Sequence, residues 1–215
     1  MKKTVIFDLD GTLLDTSDGI LFCYKKAAES VGLEENPVDD KSIVIGGPLS
    51  DGFRKLYKVE SECQLDEVIK IYRELYKNYG TTMYKPYDNI KNVLEELKEK
   101  GYILAVATLK LEEYAVKMLS SVKIDRYFSV IKGWDGGKIC SKSDILNSVI
   151  SEIKADKAKT VLVGDSEYDR KGAENVGIDF VGVGYGFGYK LNDTENYDFD
   201  ILKTPSEIPY IIEAL

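Results

Sequence analysis

The first residues of the chain constrain its fold more than any other stretch. Residues 4–7 (Thr-Val-Ile-Phe) form an apolar run rich in β-branched and aromatic side chains, which predicts a buried strand. Asp8, Asp10 and Gly11 follow, and because side chains two residues apart in an extended chain share a side, we expect the two carboxylates to converge. Like charges at the edge of a low-dielectric core need a cation or a proton beside them. The stretch is therefore either a metal and catalytic site or an acidic turn, since Asp and Gly are common in turns.

Short apolar runs alternate with helical segments over most of the chain. The sequence predicts further buried strands at residues 102–107, 128–131, 160–163 and 179–183 and an edge strand at 199–202. Asp18 is the expected cap of the first helix, and Ser141 or Ser143 that of a helix ending at residue 152. The other predicted helices cover residues 19–31, 50–57, 65–79, 90–100, 111–120, 167–175 and 205–215. This alternation indicates an α/β fold with a parallel sheet that is covered on both faces.

One block interrupts the alternation. Between residues 15 and 85 the sequence shows helical patterns and no strand signal. A Gly-Gly-Pro break at residues 46–48 separates two of the helical pieces. We therefore expect an all-helical insertion directly behind the first strand.

Composition excludes several classes of protein. The chain has 215 residues, and 37 Asp and Glu against 29 Lys and Arg give a net charge of -8. This acidic balance argues against nucleic acid or an anionic membrane as the main partner. No apolar run approaches the length of a membrane span, and the N-terminal run is too short for a signal peptide, so we expect a cytoplasmic protein.

The residue types available for catalysis are restricted. The sequence contains no histidine, which removes histidine-based triads and histidine-ligated zinc. Cys23, Cys63 and Cys140 are far apart, and none is followed six residues later by Arg, as a cysteine-dependent phosphatase loop requires. We expect reduced, structural thiols. Acid–base or nucleophilic chemistry must then come from carboxylates, Lys, Tyr, Ser or Thr.

Reactive side chains follow three of the predicted strands. Right-handed crossovers place the carboxyl ends of parallel strands on one edge of the sheet, so we expect these side chains to surround one point. They are Asp8 and Asp10 after the first strand, Thr108 after the strand at 102–107, Asp165 after the strand at 160–163, and Asp169 and Lys142 in the adjoining helices.

Each of the later residues also has a purely structural interpretation. Lys142 can be a solvated charge or the partner of Asp165 in a salt bridge. Thr108 can simply end a strand. Asp169 can be an acid of the first helical turn, where the dipole favours it, with Ser166 as the N-terminal cap.

Together the motifs resemble those of the haloacid dehalogenase-like superfamily of phosphotransferases. Residues 7–13 (Phe-Asp-Leu-Asp-Gly-Thr-Leu) match its first motif, Thr108 the hydroxyl residue of the second, and Lys142 the lysine of the third. Residues 164–169 (Gly-Asp-Ser-Glu-Tyr-Asp) match the fourth. The resemblance implies a doubly wound, Rossmann-like core formed by residues 1–15 and 86–215. It implies that residues 16–85 are an α-helical cap domain inserted after the first strand.

The resemblance also implies roles for the residues of the site. Asp8 would be the nucleophile that forms an aspartyl phosphate, and Asp10 would be the acid–base group. Asp10 must carry a proton early in the cycle, and crowding by the charges of Asp8 and Asp165 favours this protonated form. Thr108 and Lys142 would hold the transferring oxygens. Mg²⁺ would be held by the Asp8 side chain, the Asp10 carbonyl and Asp165, with Asp169 as a ligand or an outer partner.

Other residues are expected to contact the substrate. Leu109 departs from the small polar residue often found beside the hydroxyl of the second motif, but its backbone N–H can still serve. Lys110 is a weaker candidate. In the cap, residues 45–49 and Arg54 are candidates, although the sequence favours an exposed helical charge for Arg54.

The leading functional hypothesis is a Mg²⁺-dependent phosphatase for small phosphate monoesters, similar to phosphoglycolate phosphatase-like and 5′-nucleotidase-like members. Asp10 favours phosphorus chemistry over dehalogenation, and Thr12 is typical of the phosphatase branch. A β-phosphoglucomutase-like sugar phosphomutase and a non-catalytic protein that binds phosphorylated ligands are the alternatives. We expect a small phosphorylated metabolite as partner, no nucleic acid and no membrane, and a monomer or homodimer.

Overall fold

A computed structural model describes residues 1–137, 141–189, 197, 199 and 201–215, and for Ile43 the backbone alone. The strands are β1 (Thr4–Phe7), β2 (Leu14–Asp15), β3 (Lys85–Pro86), β4 (Ile103–Leu111), β5 (Val130–Trp134), β6 (Thr160–Gly164), β7 (Asp179–Val183) and β8 (Ile201–Leu202). The α-helices are α1 (Ser17–Ser30), α2 (Leu49–Leu56), α3 (Glu62–Asn78), α4 (Ile90–Glu99), α5 (Glu112–Ser121), α6 (Lys142–Ile153), α7 (Glu167–Val176) and α8 (Ile208–Ala214).

Six of the strands form one parallel sheet in the order β5-β4-β1-β6-β7-β8. From β1 the chain adds β4 and β5 on one side, then returns to add β6, β7 and β8 on the other. The order therefore reverses at β1, and such switch points are where open α/β sheets bind ligands. The predicted α/β class with a parallel sheet and flanking helices is confirmed.

The core explains why these segments are strands and helices. All four residues of β1 and all five residues of β6 are buried. This is why both central strands are nearly continuous apolar runs in the sequence. On one face, α6 and α7 pack on the sheet through a single buried cluster. Its members include Ile6, Ala105 and Leu162 from the strands, Leu146 and Val149 from α6, and Ala173 from α7.

The chain divides into two compact units, one formed by Met1–Leu14 with Pro86–Leu215 and the other by Asp15–Lys85. The second unit contains α1, α2 and α3. Its interior is aromatic: the ring of Tyr24 lies 4.6 Å from that of Phe53 and 4.9 Å from that of Tyr72. Within this unit the described residues form helices, turns and irregular segments, with β2 and β3 at its two boundaries and an isolated bridge between Glu35 and Tyr57.

Some predicted boundaries are wrong because tertiary contacts move them. The strand β4 does not end at Thr108 but runs on to Leu111, which pairs with Trp134 after an irregularity in the register. Similarly, β5 begins at Val130 rather than at residue 128. Asp18 does not cap α1; it lies in the first turn, where its charge suits the dipole, and Thr16 takes the cap position. Within the edge strand predicted at residues 199–202, the described residues form only β8, at Ile201–Leu202.

The cysteines and the helix lengths complete the description. Cys23 is buried and Cys63 exposed, and both are free thiols; Cys140 lies outside the described residues. Across the described part of the chain, every helix is too short or too polar to cross a membrane.

Candidate active site

The carboxyl ends of β1, β4 and β6 lie side by side at one edge of the sheet. Phe7, the last residue of β1, pairs with Val106 on one side and Val163 on the other. The amide of Asp8 still donates to the carbonyl of Val163, at 2.9 Å. The residues that follow these positions therefore meet at the switch point of the sheet.

Lys142 connects two of the predicted carboxylates. Its Nζ lies 2.5 Å from Oδ1 of Asp8 and 2.6 Å from Oδ1 of Asp169, and its side chain is 4% exposed. Lys142 is the first residue of α6, and Ser141 caps that helix in a reciprocal capping box with Asp144. The cap is thus Ser141 rather than Ser143. The alternative salt bridge to Asp165 is wrong, because Asp8 and Asp169 are the partners.

Asp165 is held by a glycine-rich loop after β7. Its Oδ2 accepts hydrogen bonds from the amides of Phe187, at 2.7 Å, and Gly188, at 3.2 Å. Gly186 lies so close that an added Cβ would be 2.5 Å from the Cβ of Asp165. The glycines at positions 182, 184, 186 and 188 predict from the sequence alone only a flexible turn, and these contacts with Asp165 are not visible in that pattern.

Asp169 serves the helix and the site together. Its Oδ2 accepts from the amide of Ser166, at 3.1 Å, and from the hydroxyl, at 2.6 Å, in the capping box of α7. Its Oδ1 faces Lys142. The structural interpretation of Asp169 and Ser166 is therefore correct, and the same residue also lies in the cluster. Gly164 permits this packing, since an added Cβ would be 2.6 Å from the Cβ of Asp169.

Burial shifts the pKa values of the charged groups in this cluster. Burial raises the pKa of Asp8 to about 7, and the charges of Asp169 and Asp10 add to the effect while Lys142 opposes it. Burial, with the charges of Asp169 and Asp8, also raises the pKa of Asp165 well above its usual range. For Lys142 burial lowers the pKa, but the two carboxylates outweigh it and the net direction is upward. Negative charge is thus in excess at this point.

A metal ion fits this donor set. One oxygen from each of Asp8, Asp165 and Asp169 lies within 4.8 Å of the others, and all three residues are buried. Hard cations such as Mg²⁺ prefer carboxylate and carbonyl oxygens of this kind.

The remaining predicted residues lie in different places. Thr108 is buried, and its Oγ1 accepts a hydrogen bond from the amide of Lys110 at 3.2 Å. The side chain of Leu109 packs against the hydrophobic cluster beneath α6 and α7. Arg54 lies on α2 in the helical unit and pairs with Glu62. The substrate contacts expected of Leu109 and Arg54 stay predictions.

Asp10 has a partner that sequence reasoning missed. The Nζ of Lys110 lies 3.0 Å from Oδ2 of Asp10, and the two side chains are 6% and 13% exposed. The only signal in the sequence is the position of Lys110, two residues beyond Thr108, which suggests a substrate contact rather than an ion pair.

Comparison with known proteins agrees with these motifs. Residues 5–183 match the family model described as "Haloacid dehalogenase-like hydrolase". The tyrosine-protein kinase PtkA of Mycobacterium tuberculosis (strain ATCC 25618 / H37Rv) is 36% identical over 188 residues, which are 86% of this chain. The chain spans only 63% of the length of that relative.

Two further relatives align over nearly their whole length. The phosphoglycolate phosphatase of Aquifex aeolicus is 32% identical over 98% of this chain and 97% of its own. The solved structure of a haloacid dehalogenase-like family hydrolase from Streptococcus pneumoniae superposes with a TM-score of 0.87 at 29% identity, covering 98% of each chain. On this evidence the chain belongs to the haloacid dehalogenase-like hydrolase family.

Proposed function

We propose that the protein is a Mg²⁺-dependent phosphatase that hydrolyses small phosphate monoesters through an aspartyl phosphate on Asp8. The observation that carries the proposal is the buried arrangement in which Lys142 joins Asp8 to Asp169 beside Asp165. Family membership supports it, and so do the names of similar proteins: phosphoglycolate phosphatase, pyrophosphatase PpaX and 5′-nucleotidase. The sequence contains no histidine, so a carboxylate is the nucleophile that this edge of the sheet offers.

The contacts of the individual carboxylate oxygens support a separate role for each carboxylate. Asp165 uses Oδ2 for the loop amides, and Asp8 uses Oδ1 for Lys142. We assign their other oxygens, with the carbonyl of Asp10, to Mg²⁺. Asp169 uses one oxygen for Ser166 and the other for Lys142, and we assign it the role of fixing that lysine.

The charges at this edge support a divalent ion. Lys142 pairs with Asp8 and Asp169, Asp165 lies in the same carboxylate cluster, and Asp10 pairs with Lys110. When Asp10 carries the proton that it donates, three ionised carboxylates and two ammonium groups leave one negative charge. When bound, Mg²⁺ would offset this charge and reduce the repulsion between the carboxylates and a phosphate dianion.

The chain's own residues perform the chemistry in two half-reactions. An oxygen of Asp8 bonds to phosphorus, the ester P–O bond breaks with its electron pair on the leaving oxygen, and the proton of Asp10 moves to that oxygen. Water then attacks phosphorus, Asp10 takes a proton from the water, and the bond to Asp8 breaks. The products are the alcohol and inorganic phosphate, with Asp8 and Asp10 restored.

Thr108 and Lys142 act on the oxygens of the transferring group. The hydroxyl of Thr108 and the ammonium of Lys142 are donors fixed on β4 and α6. Fixed donors are effective in phosphoryl transfer because they need no reorganisation as charge moves. We assign the backbone N–H of Leu109 a supporting part.

The helical unit supplies the choice of substrate in this proposal. We assign residues 16–85 as a cap domain and residues 1–15 and 86–215 as the core domain, with residues 45–49 and Arg54 as candidates for recognising the leaving group. A cap of this kind excludes bulk water and limits the substrate to small metabolites. A cytoplasmic location remains our expectation.

A phosphate-release screen tests the function. We expect wild-type protein to release phosphate from p-nitrophenyl phosphate with Mg²⁺ and not with EDTA, and Asp8→Asn to abolish turnover. Asp156→Asn is the matched control, because Asp156 lies in a surface turn and caps a short helix. The screen should include sugar phosphates, nucleotides, phosphoglycolate and pyrophosphate.

Three other outcomes, each measured in a separate assay beside the screen, would replace the proposal. Isomerised sugar phosphate without phosphate release would indicate a phosphomutase. Transfer to a tyrosine peptide would indicate an activity like that named for PtkA. Binding of phosphorylated ligands without turnover would indicate a non-catalytic protein.

A further inference from the structure

The two aspartates that follow β1 are each paired with a different buried lysine. Lys142 on α6 pairs with Asp8, and Lys110 on β4 pairs with Asp10. The side chain of Lys110 is 6% exposed, and its Nζ lies 3.0 Å from Oδ2 of Asp10. An ammonium group this well buried is costly unless its partner is fixed beside it. The pair is therefore a buried ion pair at the edge of the site rather than a surface ion pair.

The local backbone is arranged to direct Lys110 to this position. The register between β4 and β5 shifts between Ala107 and Leu111. In this irregular stretch the amide of Lys110 donates to Oγ1 of Thr108. The neighbouring strand comes so close that a Cβ at Gly133 would lie 2.4 Å from the carbonyl oxygen of Lys110. Lys110 is thus held from both sides while its side chain reaches Asp10.

We propose that Lys110 is a positioning residue for Asp10, which orients its carboxyl group for proton transfer to the leaving oxygen. The proposal rests on the proposed function and deepens it. Lys110 holds Oδ2 of Asp10 by a charge-assisted hydrogen bond, so the carboxyl group cannot rotate freely. Because the carboxyl group is already held in the geometry for proton transfer, the reaction does not pay the entropic cost of reaching that geometry.

The step that depends on this orientation is well defined. As the ester P–O bond breaks, its electron pair stays on the leaving oxygen, and the proton passes from Asp10 to that oxygen. Lys110 keeps all its protons and donates only a hydrogen bond. The carboxylate that Asp10 becomes carries a negative charge, which the adjacent ammonium group stabilises.

This role makes a prediction that a purely structural role does not make. Protonation matters most for substrates whose leaving group is a strong base. Phenyl phosphate and p-nitrophenyl phosphate have nearly the same shape, but phenolate is the stronger base and needs the proton more. Losing the orientation of Asp10 should therefore slow the first substrate more than the second.

The test compares Lys110→Met and Lys110→Arg with wild type on both aryl phosphates at one pH and saturating Mg²⁺. For Lys110→Met we expect kcat/KM for phenyl phosphate, which reports the first half-reaction, to fall about tenfold more than kcat/KM for p-nitrophenyl phosphate, out of the 10²–10⁴-fold that acid–base catalysis contributes. Inhibition by inorganic phosphate should stay near wild type. Lys110→Arg should recover part of the difference. Adding Lys110→Met to Asp10→Asn should change the selectivity no further.

Matched measurements separate the possible failures. Lys132→Met is the control, since Lys132 lies on the neighbouring strand β5, is 28% exposed and pairs with Glu152 of α6 at 2.9 Å; it should leave both rates unchanged. Equal losses on both substrates with weaker phosphate inhibition would show that Lys110 binds the phosphoryl group, and unchanged rates would show no role. Either result overturns the proposal. If Lys110→Met is unfolded in a thermal melt, Lys110→Gln carries the same comparison. Absence of turnover in wild type would instead refute the proposed phosphatase function.

Discussion

Gly172 on α7 lies directly against the stem of Lys142. A Cβ added at Gly172 would be 2.6 Å from Cγ of Lys142 and 2.9 Å from its Cβ. Cβ is fixed to the backbone of α6, and Cγ can move only by a rotation at χ1 that redirects the whole side chain. The bare backbone of Gly172 therefore allows Lys142 to reach Asp8 and Asp169 together.

Gly172→Ala should displace Lys142 without removing any charged group. We expect a loss of about 1–3 kcal/mol in the free energy of unfolding, as for an overpacked core, and at least a tenfold fall in kcat. Urea denaturation and steady-state kinetics measure the two effects. Lys171→Ala, one residue away with its side chain 65% exposed, is the control and should change neither. Wild-type kcat in Gly172→Ala would contradict the need for a fixed Lys142.

Gly186→Ala should weaken binding of Mg²⁺ by moving Asp165. An added Cβ would meet the carbonyl oxygen of Gly11 at 2.3 Å and Oδ2 of Asp165 at 2.6 Å. Changes in the groups that orient a metal ligand typically cost 10–100-fold in affinity, and we expect an effect of about that size by isothermal calorimetry. Gly137→Ala is the control, since its nearest contact is the tip of the exposed Asp135, at 3.1 Å. Equal Mg²⁺ affinity in the two variants would show that the loop does not position Asp165.

The cap of α7 should affect both stability and catalysis. Ser166→Ala removes the hydroxyl that donates to Oδ2 of Asp169 and accepts from the amide of Asp169, and it keeps the backbone bond to Oδ2. This loss should cost about 1 kcal/mol of unfolding free energy and lower kcat through Lys142. Ser61→Ala is matched, because Ser61 caps α3 by accepting from the amide of Gln64; it should cost similar stability with kcat unchanged. Equal effects of both variants on kcat would show that Asp169 has no specific role in catalysis.

The raised pKa of Asp8 predicts how stability depends on pH. The pKa rises from 3.8 to about 7 on folding, so between these values the folded metal-free chain binds more protons than the unfolded chain. Stability in EDTA should therefore fall as pH rises through this window, by at most about 1.4 kcal/mol per pH unit for one group. Asp165, whose pKa is also raised, adds to the slope.

Asp8→Asn should flatten that dependence. Urea unfolding in EDTA from pH 5 to pH 8 should show a smaller slope for the variant, while wild type with Mg²⁺ should be stabilised more at pH 8 than at pH 5. Asp156→Asn, at an exposed turn, should keep the wild-type slope. Parallel slopes for all three proteins would show that Asp8 ionises normally in the folded state.

Much of the fold is visible in the sequence because the central strands are buried on both faces. β1, β6 and β7 are short apolar runs that end at Asp, Gly or a helix cap, so local pattern fixes them within a residue. By contrast, the extension of β4 to Leu111 depends on pairing with Trp134 across an irregular register, and no local pattern contains that information.

The same distinction applies to the site. The motifs around Asp8, Asp165 and Lys142 locate the residues, because strand ends in a parallel sheet share an edge. The partners are long-range contacts that spacing does not encode: Lys142 with Asp169, Lys110 with Asp10, and the amides of residues 187 and 188 with Asp165.

The most direct test of the catalytic assignment is detection of phosphorylated Asp8. Wild-type protein is mixed with p-nitrophenyl phosphate and Mg²⁺, quenched in acid during turnover, and analysed by peptide mass spectrometry. We expect one phosphoryl group on the peptide that contains residues 8–10, located at Asp8, absent with EDTA and absent in Asp8→Asn. Turnover with no phosphorylated Asp8, or with the phosphoryl group on another residue, would contradict the assignment of Asp8 as nucleophile.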